Sequence, residues 1–81
     1  MKDRISIEEI ERWLKKLETL MPKIQTSDNK GEEMLKNVKA YVSDSKYFLE
    51  KEDLVLSFEA MVHAFAVFET CQELGVFEVE Q

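Results

Sequence analysis

Glu59 and His63 stand four residues apart in a segment that favours a helix, so both side chains point to the same face. A carboxylate beside an imidazole can bind a metal ion or share a proton. Metal sites in helical bundles need further ligands from facing helices, often as Glu-x-x-His, and the chain contains neither this motif nor HExxH. Cys71 lies two turns beyond His63, too far to complete the same site. We therefore expect no metal and no cofactor at this pair.

Asp44, Ser45 and His63 supply the residue types of a hydrolytic triad. Ser45, however, is predicted to face the core in the middle of a helix, with neither a strained turn nor an oxyanion loop around it. Gly31 and Gly75 are the only glycines, so both common glycine-rich phosphate-binding loops are absent. The sequence therefore predicts a protein that is not an enzyme.

Tyr47 is predicted to lie on the outer side of its helix, one turn after Asp44. An exposed tyrosine combines apolar area with a polar tip, which suits a contact surface. Alternatively, its ring packs along a neighbouring helix or the C-terminal tail. The candidate interaction surface consists of five residues: Asp44, Tyr47, Asp53, Glu59 and His63.

Charge is distributed unevenly along the chain. Residues 53–81 carry six acidic and no basic side chains, so the net charge of −6 arises in this last third. In the first helix, Arg12 and Lys15 alternate with Glu8 and Glu11, a pattern typical of solvated ion pairs four residues apart. Phosphate binding needs clustered cations, so we expect no nucleic-acid partner.

Three helices are predicted to position these residues. Ser6 and Glu9 form a capping box that starts the first helix, and Pro22 ends or kinks it. Asp53 is the predicted N-cap of the third helix, and Gly75 its C-terminal stop. The expected architecture is an all-α antiparallel three-helix bundle with a short C-terminal tail, in one domain of residues 1–81. Its helices are expected at about residues 6–24, 31–50 and 53–74.

Ser45 lies near the middle of the apolar face of the predicted second helix. Its small side chain permits a close approach of the third helix. Its hydroxyl is expected to bond the carbonyl of Tyr41 in the preceding turn. We therefore predict that Ser45 is buried and structural.

The third helix carries two apolar seams. The first is Leu54, Phe58, Met61, Phe65 and Phe68, and the second is Leu56, Ala60, Val67, Cys71 and Leu74. Two seams fit a helix packed against both of its neighbours. They also fit a helix that buries part of its surface against another chain. A protein partner or a homodimer through this helix is therefore expected.

The expected location is the cytoplasm, without membrane contact. A single cysteine, Cys71, suits a reducing compartment. The N-terminal residues contain acids and lack an unbroken apolar core, unlike a signal peptide. The most apolar stretch, residues 54–68, is interrupted by polar side chains and is too short to span a bilayer.

The run from Tyr41 to Asp53, YVSDSKYFLEKED, is followed by Phe58-Glu-Ala, His63-Ala and Glu73-Leu-Gly-Val-Phe. This pattern resembles the archaeal domain-of-unknown-function family 357 over about residues 35–77. The chain departs from it at Glu52, where glycine is usual, and at Glu69–Thr70, where an Asp-Ala-like pair is common. The resemblance implies an archaeal cytosolic helical bundle, and it brings no established activity.

The sequence is consistent with two functions. The first is a non-enzymatic module for protein–protein interaction or self-association. The alternative is an accessory domain that handles a small ligand or nucleotide, because some relatives resemble modules attached to nucleotidyltransferase-like domains. The helical hairpin also resembles the helical partners of minimal nucleotidyltransferases, and those partners that cleave RNA need an arginine four to six residues before a histidine. Glu59, Phe58 and Ser57 occupy those positions before His63, so the nuclease function is excluded.

Overall fold

The structure, a computed structural model, describes residues 5–80. The elements follow the chain in this order: α1 (Ile7–Leu20), a 3₁₀ turn (Met21–Lys23), β1 (Ile24–Gln25), α2 (Asn29–Glu50), α3 (Leu54–Glu73) and β2 (Glu78–Val79). The prediction of an all-α three-helix bundle is confirmed, with one two-stranded sheet added to it. The predicted single domain extends beyond the described residues at both ends and stays a prediction.

The helices α2 and α3 form a long antiparallel hairpin held by two buried serines. The Ser45 hydroxyl donates to the Ser57 carbonyl at 2.7 Å, and the Ser57 hydroxyl donates to the Ser45 carbonyl at 2.8 Å. Both side chains are fully buried. The prediction that Ser45 is buried is confirmed, but its hydroxyl bonds the facing helix rather than the carbonyl of Tyr41. Side-chain bonds to backbone across two helices require a close approach, which only small residues permit.

Polar caps fix where each helix begins. The Ser6 hydroxyl accepts from the Glu9 amide at 3.1 Å, and the Asp53 carboxylate accepts from the Leu56 amide at 3.1 Å. Both predicted caps are therefore confirmed. A third cap starts α2 earlier than predicted, because the Asp28 carboxylate accepts from the Gly31 amide at 2.9 Å. Each cap satisfies an amide that has no partner within its own helix.

Two Schellman motifs end α2 and α3. At the end of α3, Gly75 has a φ of 79°, and the Val76 amide donates to the Cys71 carbonyl at 2.8 Å. The predicted stop at Gly75 is confirmed. The end of α2 repeats this pattern, because Glu52 has a φ of 62° and the Asp53 amide donates to the Phe48 carbonyl at 2.9 Å. Glu52 therefore has the left-handed backbone conformation that favours glycine.

The end of α1 decides between the two expectations for Pro22, because the α-helix ends there rather than continuing with a kink. The expected helix reached residue 24, but α1 ends at Leu20, and the 3₁₀ turn that contains Pro22 leads into β1. Proline lacks an amide donor and clashes with the preceding turn, so the chain leaves the helix there. β1 then pairs antiparallel with β2, with Ile24 opposite Val79. This ribbon places the C-terminal tail against the end of the bundle and buries Phe77.

The core lies between the α2–α3 hairpin and α1. Helix α1 packs more extensively against α3 than against α2. Its members are Ile10, Leu14, Leu17, Ile24, Val38, Val42, Met61, Ala64, Phe68, Cys71 and Phe77. Ile7, which precedes Ile10 and Leu14 at helical spacing, is 47% exposed. Ile7 instead lines an open groove between α1 and α2.

The bundle itself buries only part of the two predicted seams of α3. The buried residues of α3 are Ser57, Ala60, Met61, Ala64, Phe68 and Cys71. Small residues dominate the half of this seam near the hairpin turn, because α2 approaches α3 closely there. That approach sets the rotation of α3. Phe58, which belongs to the first predicted seam, is 37% exposed, and Leu74, which belongs to the second, follows the end of α3 and is 73% exposed.

Substitutions at Ser45 test the serine contact. We expect Ser45→Leu to lower the free energy of unfolding by about 1–3 kcal/mol, because the extra volume overpacks the interface. Ser45→Ala should cost only about 0.5–1.5 kcal/mol, since it loses one hydrogen bond. Urea denaturation measures both values. Ser43→Leu, at an exposed position of the same helix, is the matched control and should change little. A Ser45→Leu variant as stable as this control would contradict the prediction.

Substitution of Glu52 tests the left-handed turn between α2 and α3. Glu52→Gly should raise the free energy of unfolding by about 0.5–1 kcal/mol, because glycine adopts a positive φ without steric cost. The neighbouring control is Lys51→Gly, where φ is −82° and glycine brings no relief. In thermal melts, Glu52→Gly should therefore raise the melting temperature and Lys51→Gly should lower it. Equal effects of the two substitutions would exclude backbone strain at Glu52.

Candidate functional site

The outer face of α3 is an apolar stripe that no other helix within residues 5–80 covers. We define this outer face as Val55, Phe58, Val62 and Ala66, which follow one another at helical spacing. Val55 is 59% exposed and Val62 is 43% exposed. Large apolar side chains that lie together at the surface of a small protein mark a contact site more often than scattered ones do.

A groove between α1 and α3 extends this face on one side. Its volume is about 450 Å³, and it is lined by Trp13, Lys16, Met61, Val62, Phe65, Ala66 and Glu69. The Trp13 ring meets the Phe65 ring edge-on, with centroids 5.4 Å apart. The Lys16 ammonium lies 5.1 Å from the Trp13 ring centroid. Trp13 therefore has one side fixed by Phe65 and another side open to solvent.

An acidic recess borders the face on the other side, between α2 and α3. Its polar wall consists of Tyr41, Asp44, Glu59 and His63, over an apolar floor of Phe48, Leu56 and Ala60. The recess has a volume of about 180 Å³. The Tyr41 and His63 rings are tilted against each other, with centroids 5.3 Å apart. The recess thus combines two carboxylates with an aromatic wall.

The acidic recess contains three of the five residues of the candidate interaction surface. Asp44, Glu59 and His63 all line it, and sequence spacing predicts this proximity only for Glu59 and His63. Tyr47 lies outside it: the ring is 56% exposed and packs against Phe48, with the Lys51 ammonium 5.5 Å from its centroid. Asp53 is occupied as the N-cap of α3. Tyr47, near the end of α2, and Asp53, in the turn between α2 and α3, therefore do not line the recess.

The residue types of a hydrolytic triad are not arranged as one. Ser45 is fully buried and its hydroxyl bonds Ser57, whereas Asp44 and His63 are exposed. Within residues 5–80, no group of three His, Cys, Asp or Glu side chains is close enough to share a metal ion. Cys71 is buried apart from the recess, and this burial raises the pKa of its thiol. A raised pKa keeps the thiol protonated and poorly nucleophilic.

A second groove, between α1 and α2, has a different composition. Its volume is about 450 Å³, and its lining is Ile7, Glu11, Leu14, Glu18, Lys46, Leu49 and Glu50. Lys46 and Glu18 form an ion pair across it.

The length of α3 also bears on the expected absence of membrane contact. Among the described residues, α3 alone is long and apolar enough to cross a membrane by length and composition. Its 20 residues exceed the stretch 54–68 from which the sequence argument excluded a membrane span. Core helices of soluble proteins have the same composition, and six residues of α3 are buried in this bundle.

Fold and surface together define a small all-α protein, a three-helix bundle with an exposed apolar face on α3. The chain belongs to the DUF357 family, which is described as a protein of unknown function and matches residues 7–77. The resemblance found in the sequence is thereby confirmed, and it extends through α1.

A solved structure of the same family has the same fold. The crystal structure of protein AF1782 from Archaeoglobus fulgidus, a DUF357 protein, has 38% sequence identity to this chain and a TM-score of 0.82. The similarity covers 90% of this chain and 91% of that chain. None of the curated proteins compared with this chain matches it.

Sequence reasoning missed Val55, Val62 and Trp13 as exposed apolar residues, and it missed Tyr41 as part of the recess. Tyr41 follows the apolar period of α2, and Val62 fits neither seam assigned to α3. A signal for the correct rotation does exist in the sequence. Ser57, Ala60 and Ala64 recur at helical spacing, and small residues mark the side where another helix comes closest. That side is opposite Val55 and Val62.

Proposed function

We propose that the protein is a non-enzymatic docking module that binds a protein partner through the outer face of α3. The observation that carries this proposal is the exposure of Val55, Phe58 and Val62 on one helix. Burial of apolar area stabilises an interface by roughly 25 cal/mol per Å². A partner that covers this face would remove apolar area that the bundle itself leaves in water.

The charges around the face favour a different protein over a second copy of this chain. Asp44, Glu59 and Glu69 border it, and α3 contains no lysine or arginine. In the lining of the adjoining α1–α3 groove, Lys16 is the one cation among the described residues. Two copies meeting through α3 would bring like charges together, which is costly at an interface. A partner with basic residues around an apolar seam is complementary.

The proposal includes a cytoplasmic location. The single cysteine of the chain is a free, buried thiol, and this supports a reducing compartment.

A substitution in the face tests the docking function. The partner is first captured from native cells with the tagged protein, then purified and titrated against variants. Val62→Asp should weaken binding by about 2 kcal/mol, or roughly thirtyfold, because it places a charge in the centre of the apolar contact. Isothermal titration calorimetry gives the affinities, and thermal melts establish that each variant is folded.

The matched control is Leu74→Asp, which introduces the same charge at a more exposed apolar position beyond the end of α3. It should bind the partner as the unmodified protein does. Equal binding by Val62→Asp would exclude the outer face of α3 as the docking surface. Sedimentation equilibrium tests for a homodimer. If the protein self-associates and Val62→Asp abolishes this association, the occupant of the face is a second copy of the chain rather than a different protein.

The acidic recess favours a second candidate function, an accessory domain that handles a small ligand or nucleotide. Its supporting observation is the convergence of Asp44, Glu59 and His63 beside the Tyr41 ring. A phosphate ligand there would need a bridging cation, because the two carboxylates repel it. NMR titration with Mg²⁺ and nucleotides should then shift the amides of these residues. Unchanged spectra at millimolar ligand would exclude this function.

A further inference from the structure

The docking face and the acidic recess together specify the chemistry of the partner. We propose that the partner binds as an amphipathic helix whose arginine enters the acidic recess. One turn along that helix, a large apolar side chain covers Phe58 and Val62. This inference rests on the proposed docking function and identifies the class of segment that occupies the face.

The recess has the composition that a guanidinium group requires. Asp44 reaches it from α2 and Glu59 from α3, so carboxylates approach from two sides. A guanidinium presents five planar N–H donors and pairs with carboxylates through two parallel hydrogen bonds. Its flat face also stacks on aromatic rings, and the Tyr41–His63 pair supplies such a wall. Lysine has a rounded ammonium group and lacks this planar match.

Both carboxylates are available for a cation from outside. The ion pairs among the described residues are Arg12 with Glu9 and Lys46 with Glu18, so none involves Asp44 or Glu59. Their charge is therefore not neutralised by an ion pair within residues 5–80. An incoming arginine would supply the missing positive charge, whereas a glutamate would add repulsion.

The recess and the apolar face are continuous. A shallow depression lined by Phe58, Glu59, Val62 and His63 shares two of its four residues with the recess. Side chains three or four residues apart on a helix lie about 5–6 Å apart on one face. A single helix can therefore place an arginine in the recess and an apolar side chain on the depression. This is the helix-in-groove mode of recognition, in which anchors recur at helical spacing.

Synthetic peptides test the inference with the full-length protein. The probe is an amphipathic peptide of about five helical turns with a leucine seam and one arginine a turn from the central leucine. A second peptide replaces this arginine with citrulline, which keeps the shape and removes the charge. Binding is followed by ¹⁵N NMR shifts and by the fluorescence of Trp13, the only tryptophan. The arginine peptide should bind roughly tenfold more tightly than the citrulline peptide, because charge-assisted pairs are the stronger hydrogen bonds.

A double variant assigns this preference to the recess. Asp44→Asn with Glu59→Gln keeps the side-chain shapes. The affinities of this double variant for the two peptides should differ by no more than about twofold, because the contact that distinguishes the peptides has been removed. The matched control is Glu33→Gln with Glu80→Gln, the same change of charge at exposed positions elsewhere. It should retain the arginine preference.

The outcomes separate this inference from the docking function. Equal affinity of the unmodified protein for both peptides, or a preference that survives Asp44→Asn with Glu59→Gln, overturns the arginine assignment. Absence of binding by the arginine peptide at millimolar concentration also overturns it. The docking function fails by a different result, namely unchanged binding of the native partner by Val62→Asp.

Discussion

The reciprocal hydrogen bonds between Ser45 and Ser57 determine how the hairpin is assembled. Each hydroxyl donates to the backbone carbonyl of the facing helix, so the two backbones must lie close together. Both bonds are fully buried, and a buried polar group that lost its partner would be costly. The contact therefore fixes the register of α2 against α3 and, with Ala60 and Ala64, the rotation of α3 about its axis.

This rotation explains the surface of the protein. An apolar helix with no dominant hydrophobic side can pack in several orientations, and here the small residues face α2. The large side chains Val55, Phe58 and Val62 are thereby directed outward, while Met61 and Phe68 remain in the core. The same rotation brings Glu59 and His63 next to Asp44 and Tyr41. One packing constraint thus produces the apolar face and the adjoining acidic recess.

Charge gives this surface its proposed selectivity. Apolar area contributes affinity for many partners, whereas charges at the rim discriminate between them and steer the encounter. α3 contains no basic residue, so a basic partner helix is favoured over a second acidic chain.

The sequence alone determined the three helices and most of their termini, because caps, proline and glycine act through local backbone chemistry. Ser6, Asp53 and Gly75 illustrate this, and Ser45 was identified as buried from its position on the helix. The residue pattern of the chain also identified the family. Tertiary structure alone decided which side of α3 is covered, that Ser45 bonds Ser57, and that residues after Pro22 pair with the tail. Those features depend on contacts between residues far apart in the chain. In α3, whose apolar residues surround most of the helix, the hydrophobic pattern does not select one side.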